Sequence, residues 1–153
     1  LRCLVGSEMC IRDRYNNNLN NNKMFDWKKP TVQMLGRWQP WHDGHQALFK
    51  RCVAKTGQVI IQVRDVQGAS GGDGQDDNPF DWDSVCKNIE DGLIKDNFKR
   101  GVDYEIMLVP NIVNITYGRG VGYAFDEEVF DEATHSISAT KIRKKMRDEG
   151  KLK

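Results

Sequence analysis

At 153 residues the chain has room for one domain with a single sizeable core. Its 23 lysines and arginines against 22 aspartates and glutamates leave a formal net charge of +1. That balance excludes a global electrostatic reason for binding nucleic acid or a membrane, so any anion site has to be local.

Four cysteines without a CxxC pair or zinc-ligand spacing suit a reducing cytosol better than a disulfide scaffold. No run approaches the roughly 20 apolar residues that span a bilayer, so a cytoplasmic protein is expected. Residues 16–22, Asn-Asn-Asn-Leu-Asn-Asn-Asn, can bury almost nothing and cannot offset the entropy of being ordered. The stretch before them has no helical or alternating period and resembles translated adapter sequence. Residues 1–23 are therefore expected to be a disordered, non-native head, with Met24 as the natural start and residues 24–153 as the folded domain.

From Thr31 onward short apolar runs alternate with helix-length segments, the pattern of βαβ units around a parallel sheet. Residues 31–35 read as the first strand. Residues 44–55 carry Ala47, Leu48, Phe49, Cys52 and Val53 at mostly helical spacing, which predicts a helix that Gly57 stops. The β-branched run 58–63 suits a central strand. Residues 68–77, rich in glycine and acids, predict a surface loop that could serve as a lid. Asp81 is placed to cap a helix through Ile94, with Val85, Ile89 and Leu93 recurring every four residues on its buried side. Residues 104–109 make a third strand that Pro110 ends, residues 124–130 a short edge strand, and residues 140–149 a last helix with Ile142 and Met146 as its packing stripe.

The chemistry concentrates in Gly36-Arg37-Trp38-Gln39-Pro40-Trp41-His42-Asp43-Gly44-His45, where a strand ends and a helix begins. A helix N-terminus presents unpaired N–H groups and the positive end of its dipole, a ready seat for a triphosphate. His42 and His45 fall on one side of the entering turn, where their N–H groups can donate to phosphate oxygens, and Gly44 lets the backbone come close. Near the end, Ile137-Ser138-Ala139-Thr140-Lys141-Ile142-Arg143 opens the last helix. Ser138 and Thr140 can cap it, and Arg143 can reach the same oxygens with a charge-assisted fork.

These two segments resemble the GRxQPxHxGH and ISxTxIR signatures of the HIGH-motif nucleotidyltransferase superfamily, closest to nicotinamide-mononucleotide adenylyltransferases. Asn78-Pro79-Phe80 resembles a third, weaker family segment. The resemblance covers the whole folded part and implies a Rossmann-like parallel α/β sheet flanked by helices, with the ligand beyond the carboxyl ends of the strands. It implies transfer of a nucleotidyl group, adenylyl before cytidylyl, from ATP or CTP to a phosphorylated small molecule. His45, His42 and Arg143 would be catalytic, and Gly36, Arg37, Gln39, Gly44, Ser138 and Thr140 would join them in binding the nucleotide. Relatives commonly form homo-oligomers. No carboxylate cluster for a permanent metal is visible, so Mg²⁺ is expected to arrive with the nucleotide.

Arg64, Asn111, Asn114 and Arg119 are candidates for the acceptor, Arg64 with an ion pair to Asp65 as the competing role. Trp38 and Trp41 read as packing or lid residues before base-stacking ones. The stretch 110–136 is shorter than the insert with which the nicotinamide-mononucleotide enzymes hold their acceptor, which leaves the acceptor open and a compact cytidylyltransferase plan thinkable. A non-catalytic nucleotide-binding domain and a class I aminoacyl-tRNA-synthetase fragment are the other readings. The synthetase reading is the weaker, since the second signature is not KMSKS-like and no large basic patch is present.

Overall fold

The computed structural model describes residues 23–66, 77–120 and 122–152. The expected head lies, apart from Lys23, outside the described residues, as does the expected 68–77 loop apart from Asp77. Among the described residues seven elements follow in order: β1 (Val32–Gly36), α1 (Asp43–Thr56), β2 (Val59–Arg64), α2 (Trp82–Ile94), β3 (Tyr104–Val109), α3 (Glu132–His135) and α4 (Ala139–Asp148). The strands form a parallel sheet in the order β1-β2-β3. A parallel α/β sheet flanked by helices is the Rossmann-like arrangement that the alternation of short apolar runs and helical segments leads one to expect.

Register explains the core. Val32, Val59 and Tyr104 align across the sheet, as do Met34, Ile61 and Ile106, so all six project from one face. That face meets Phe49 and Cys52 of α1 and Val85, Ile89 and Leu93 of α2. Both crossover helices cover the same face, as consecutive right-handed crossovers in one direction require. Phe49 is edge-on to Phe98 and Tyr104, with centroids 4.9 and 5.7 Å away. The opposite face carries Gln33, Ile60, Gln62 and Met107, stays partly open, and is bridged by a bond from Gln33 Nε2 to Gln62 Oε1.

The helix ends follow the sequence cues. Gly57 leaves α1 at a φ of 87°, where its N–H donates to Val53 O at 2.7 Å. Asp81 caps α2 by accepting from the Ser84 N–H at 2.9 Å. The expected edge strand over 124–130 does not form. Its acids are drawn to α1 instead: Lys55 pairs with Asp126 at 2.7 Å and Glu128 at 2.6 Å, and Arg51 pairs with Glu128 at 3.1 Å while lying over the Phe130 ring. Acidic residues are weak strand formers, and here they strap the chain to the helix. The short α3, which no periodicity announced, starts at an Asp131 cap. No helix among the described residues is long and apolar enough to cross a membrane.

Candidate active site

The loop between β1 and α1 is built around Trp38. Its φ of 55° is left-handed, a conformation that costs a non-glycine residue on the order of 1–3 kcal/mol. The indole offsets that cost: it is 5% exposed and donates from Nε1 to Gln62 O at 3.0 Å. A Cβ on Gly36 would come within 2.8 Å of the Trp38 ring, so the strand must end on a residue without one. Trp38 meets His45 edge-on, with centroids 4.8 Å apart, and packs on Trp41 at 5.2 Å. Both tryptophans belong to the core, which favours packing over base-stacking.

His42 is the N-cap of α1 through its side chain. Nδ1 accepts from the Gly44 N–H at 3.1 Å and from the His45 N–H at 3.4 Å. The imidazole therefore occupies part of the helix N-terminus that the sequence alone left open for phosphate. An accepting Nδ1 puts the proton of the neutral ring on Nε2, which becomes the outward donor. Burial holds the His42 pKa below its usual range, opposed by the neighbouring Asp43 carboxylate. His45 stacks on His42 with centroids 3.6 Å apart and planes at 19°. Burial, reinforced by His42, pushes its pKa down to about 3, so the ring is neutral at physiological pH. Its Nδ1 is closed off from water and has no hydrogen-bond partner, a loss of roughly 1–3 kcal/mol that ordinary packing would not retain. Gly44 is required here because a Cβ would lie 2.9 Å from His42 Cε1.

Several expected nucleotide ligands are engaged elsewhere. Gln39 is buried, donating from Nε2 to Phe80 O and accepting the Phe80 N–H at Oε1, both at 2.9 Å. Its amide fastens the loop to the segment that opens α2 rather than facing a ligand. Arg143, 3% exposed, donates from Nη1 to Gln39 O at 2.6 Å and from Nη2 to Thr140 Oγ1 and Asp77 Oδ1, each at 3.4 Å. The guanidinium thus ties the two signatures together. Ser138 stands at the N-cap of α4 but makes no side-chain capping bond, and Thr140 accepts from Arg143 instead of capping. Arg37 remains exposed and reaches Asn78 Oδ1 at 3.5 Å.

Of the acceptor candidates, two come together and two do not. Arg64 Nη2 donates to Asn111 Oδ1 at 2.6 Å, across the carboxyl ends of β2 and β3. The competing Arg64–Asp65 ion pair does not form among the described residues; Asp65 contributes its backbone N–H to Val109 O at 2.8 Å. Asn114 accepts from Thr116 Oγ1, and Arg119 is exposed in the loop beyond. A cleft of about 450 Å³ opens beside His42 between Pro40, Trp41 and Met146. With Asp43, Asp91 and Asp96 on its wall against Lys95, it is no seat for a triphosphate.

Two supporting residues escaped sequence reasoning. Gln46 accepts from Trp41 Nε1 at 2.9 Å and donates to Gly92 O at 2.9 Å and Asp96 Oδ2 at 2.6 Å, pinning the loop to α2. A glutamine three residues before Phe49, on the inward stripe of α1, was the signal. Asp77 and its bond to Arg143 had none, because the two lie 66 positions apart.

No protein-family model matches the chain. Nicotinamide-nucleotide adenylyltransferase from Methanococcus aeolicus is 25% identical over 118 residues, covering 71% of this chain and 66% of that protein. The chain thus spans a little under two thirds of that relative's length. The likeness supports a distant relation to the nucleotidyltransferase superfamily, in keeping with the parallel sheet and helices described above.

Proposed function

We propose that this chain transfers a nucleotidyl group, adenylyl before cytidylyl, from a nucleoside triphosphate to a phosphorylated small molecule. The observation that carries the reading is the His42–His45 stack at the mouth of α1, with both rings kept neutral by burial. Neutral imidazoles suit this chemistry: as donors they stabilise charge building on phosphate oxygens without acting as acids. An acceptor phosphate oxygen attacks the α-phosphorus in line, a new P–O bond forms, and the bond to the bridging oxygen breaks with its electron pair leaving on pyrophosphate. No proton needs to move. The chain's part is to position and to stabilise, with Nε2–H of His42 directed outward and His45 behind it.

Among the described residues no group of three or more His, Cys, Asp or Glu side chains is arranged to hold a metal. Mg²⁺ would come on the triphosphate, where it would neutralise phosphate charge. The test is pyrophosphate release from ATP and from CTP with Mg²⁺ across phosphorylated acceptors that include nicotinamide mononucleotide, with His45→Ala as control. Release that needs one acceptor and falls roughly 100- to 1,000-fold in the variant supports transfer.

A second reading has its own observation. Gln39 and Arg143 are committed to internal bonds and His42 caps the helix, which fits a nucleotide-binding domain without turnover. ATP binding with no release under any acceptor would favour it.

A further inference from the structure

Two residues beyond the signature loop break local rules, and both touch Trp41. Gln46 is a buried amide on the inward stripe of α1, beside Phe49 and Cys52, where an apolar side chain would carry no desolvation cost. Gly92 lies within α2, where glycine is a poor helix former. A Cβ there would come within 2.7 Å of Trp41 Cδ1 and 2.9 Å of its Nε1, so the indole lies directly against the α2 backbone. From that seat its N–H donates to Gln46 Oε1 at 2.9 Å.

The amide has one workable orientation. Its Nε2 donates to Gly92 O at 2.9 Å and to Asp96 Oδ2 at 2.6 Å. With nitrogen and oxygen exchanged, the nitrogen would face the indole N–H and the oxygen two acceptors. Lys50, 3.0 Å from Asp96 Oδ2, holds that carboxylate in turn. Methionine at position 46 and phenylalanine at position 41 would fill similar space without burying an amide. What the polar pair adds is direction, because a satisfied buried network fixes a ring that dispersion alone leaves free to tilt.

That direction bears on His45. Trp41 lies against the His45 ring with centroids 5.5 Å apart at 48°, Trp38 meets it edge-on at 4.8 Å, and His42 stacks on it at 3.6 Å. The Nδ1 of His45 is closed off from water and has no hydrogen-bond partner, so contact with these rings sets where the imidazole points. A wall that moves takes the ring with it.

We propose that Gln46 is a positioning residue that acts through Trp41: by fixing the indole on α2 it holds the His45 ring in the place from which the α1 site works. This rests on the transfer reading of that site.

The test is a double-mutant cycle between Gln46→Met, which keeps the side-chain length and loses all three bonds, and Trp41→Phe, which removes the N–H that needs Gln46. The first readout is the His45 ring Cε1–H signal in ¹H–¹³C spectra of the nucleotide-free protein, assigned by its loss in His45→Gln. Gln46→Met should move that signal in the wild-type background and leave it, in the double variant, where Trp41→Phe puts it. The second readout is pyrophosphate release with the acceptor that supports it. Gln46→Met should lower kcat roughly 10- to 100-fold, the scale of a misplaced catalytic group, with KM for ATP within about twofold. In the Trp41→Phe background the same change should alter kcat by no more than about twofold. An equal loss in both backgrounds overturns the proposal, since Gln46 would then only brace α1 against α2, and so does a His45 signal that Gln46→Met leaves unmoved. If Gln46→Met fails to fold, Asp96→Ala, which removes one of the two acceptors that aim the amide, takes its place in the cycle with smaller changes in the same direction. Failure of the transfer reading shows separately, as absent pyrophosphate release while the His45 signal still responds to Gln46 through Trp41.

Discussion

Arg143 Nη1 donates to the backbone oxygen of Gln39 at 2.6 Å, joining the helix of the second signature to the loop of the first across 104 positions of sequence. The same guanidinium reaches Asp77 and Thr140, so it ties three segments at one point. Removing it would leave a buried carbonyl without its charged donor and Asp77 without its counter-ion. Arg143→Ala should therefore lower unfolding free energy by about 3 kcal/mol in the absence of any nucleotide. Arg143→Lys should fall between, since one ammonium cannot span the three partners. Denaturant unfolding of the nucleotide-free protein checks this; unchanged stability would make Arg143 a ligand residue only.

His42 has two separable duties, the helix cap at Nδ1 and the outward donor at Nε2. Asparagine is a good N-cap but offers no imidazole. His42→Ala should cost about 1 kcal/mol of stability, and His42→Asn should recover most of it. Neither should restore pyrophosphate release. A His42→Asn protein with full activity would assign the ring a capping role alone.

How much of this was legible in the sequence varies with the distance over which the physics acts. Gly57 and Asp81 announced their helix ends because caps are local, and β3 was bounded by Pro110 for the same reason. The edge strand over 124–130 misled, because the pull of Lys55 and Arg51 on Asp126 and Glu128 depends on a helix about 70 positions earlier. At the site, the pattern picked out His42, His45 and Gly44, yet not that His42 would cap its own helix, which depends on one side-chain rotamer. The internal bonds of Gln39 and Arg143 were not legible either, because a motif records which residues gather, not which of them bond to one another.

Gly44→Ala sets two effects of similar size against each other. Alanine within the first turn of a helix gains up to about 1 kcal/mol over glycine. The new Cβ, 2.9 Å from His42 Cε1, pushes the imidazole off the N–H groups it caps, which costs about the same. Thermal stability should change little while pyrophosphate release falls, because the displaced ring no longer stacks squarely on His45. A stable variant with unchanged turnover would show that the ring's placement does not matter to the chemistry.

The buried histidines also set a pH dependence of stability. His45 has a pKa near 6.5 when unfolded and about 3 when folded, and His42 moves in the same direction. Between those values the unfolded chain binds more protons than the folded one, so stability rises with pH across the interval. The contribution is fully present above about pH 6.5 and is lost progressively as pH falls toward 3, with a slope of up to about 1.4 kcal/mol per pH unit from His45 alone. Asp81, Asp96 and Glu128, whose pKa values lie below the usual carboxylate range, remain ionised in both states until about pH 5, so the upper part of the window isolates the imidazoles. Urea unfolding at intervals from pH 7 to about pH 5 should show stability declining, and His45→Gln should flatten the decline by removing the more perturbed of the two rings. If the wild-type curve is flat over that range, the folded His45 takes up a proton at the same pH as the unfolded chain, and burial does not hold the ring neutral below about pH 6.5.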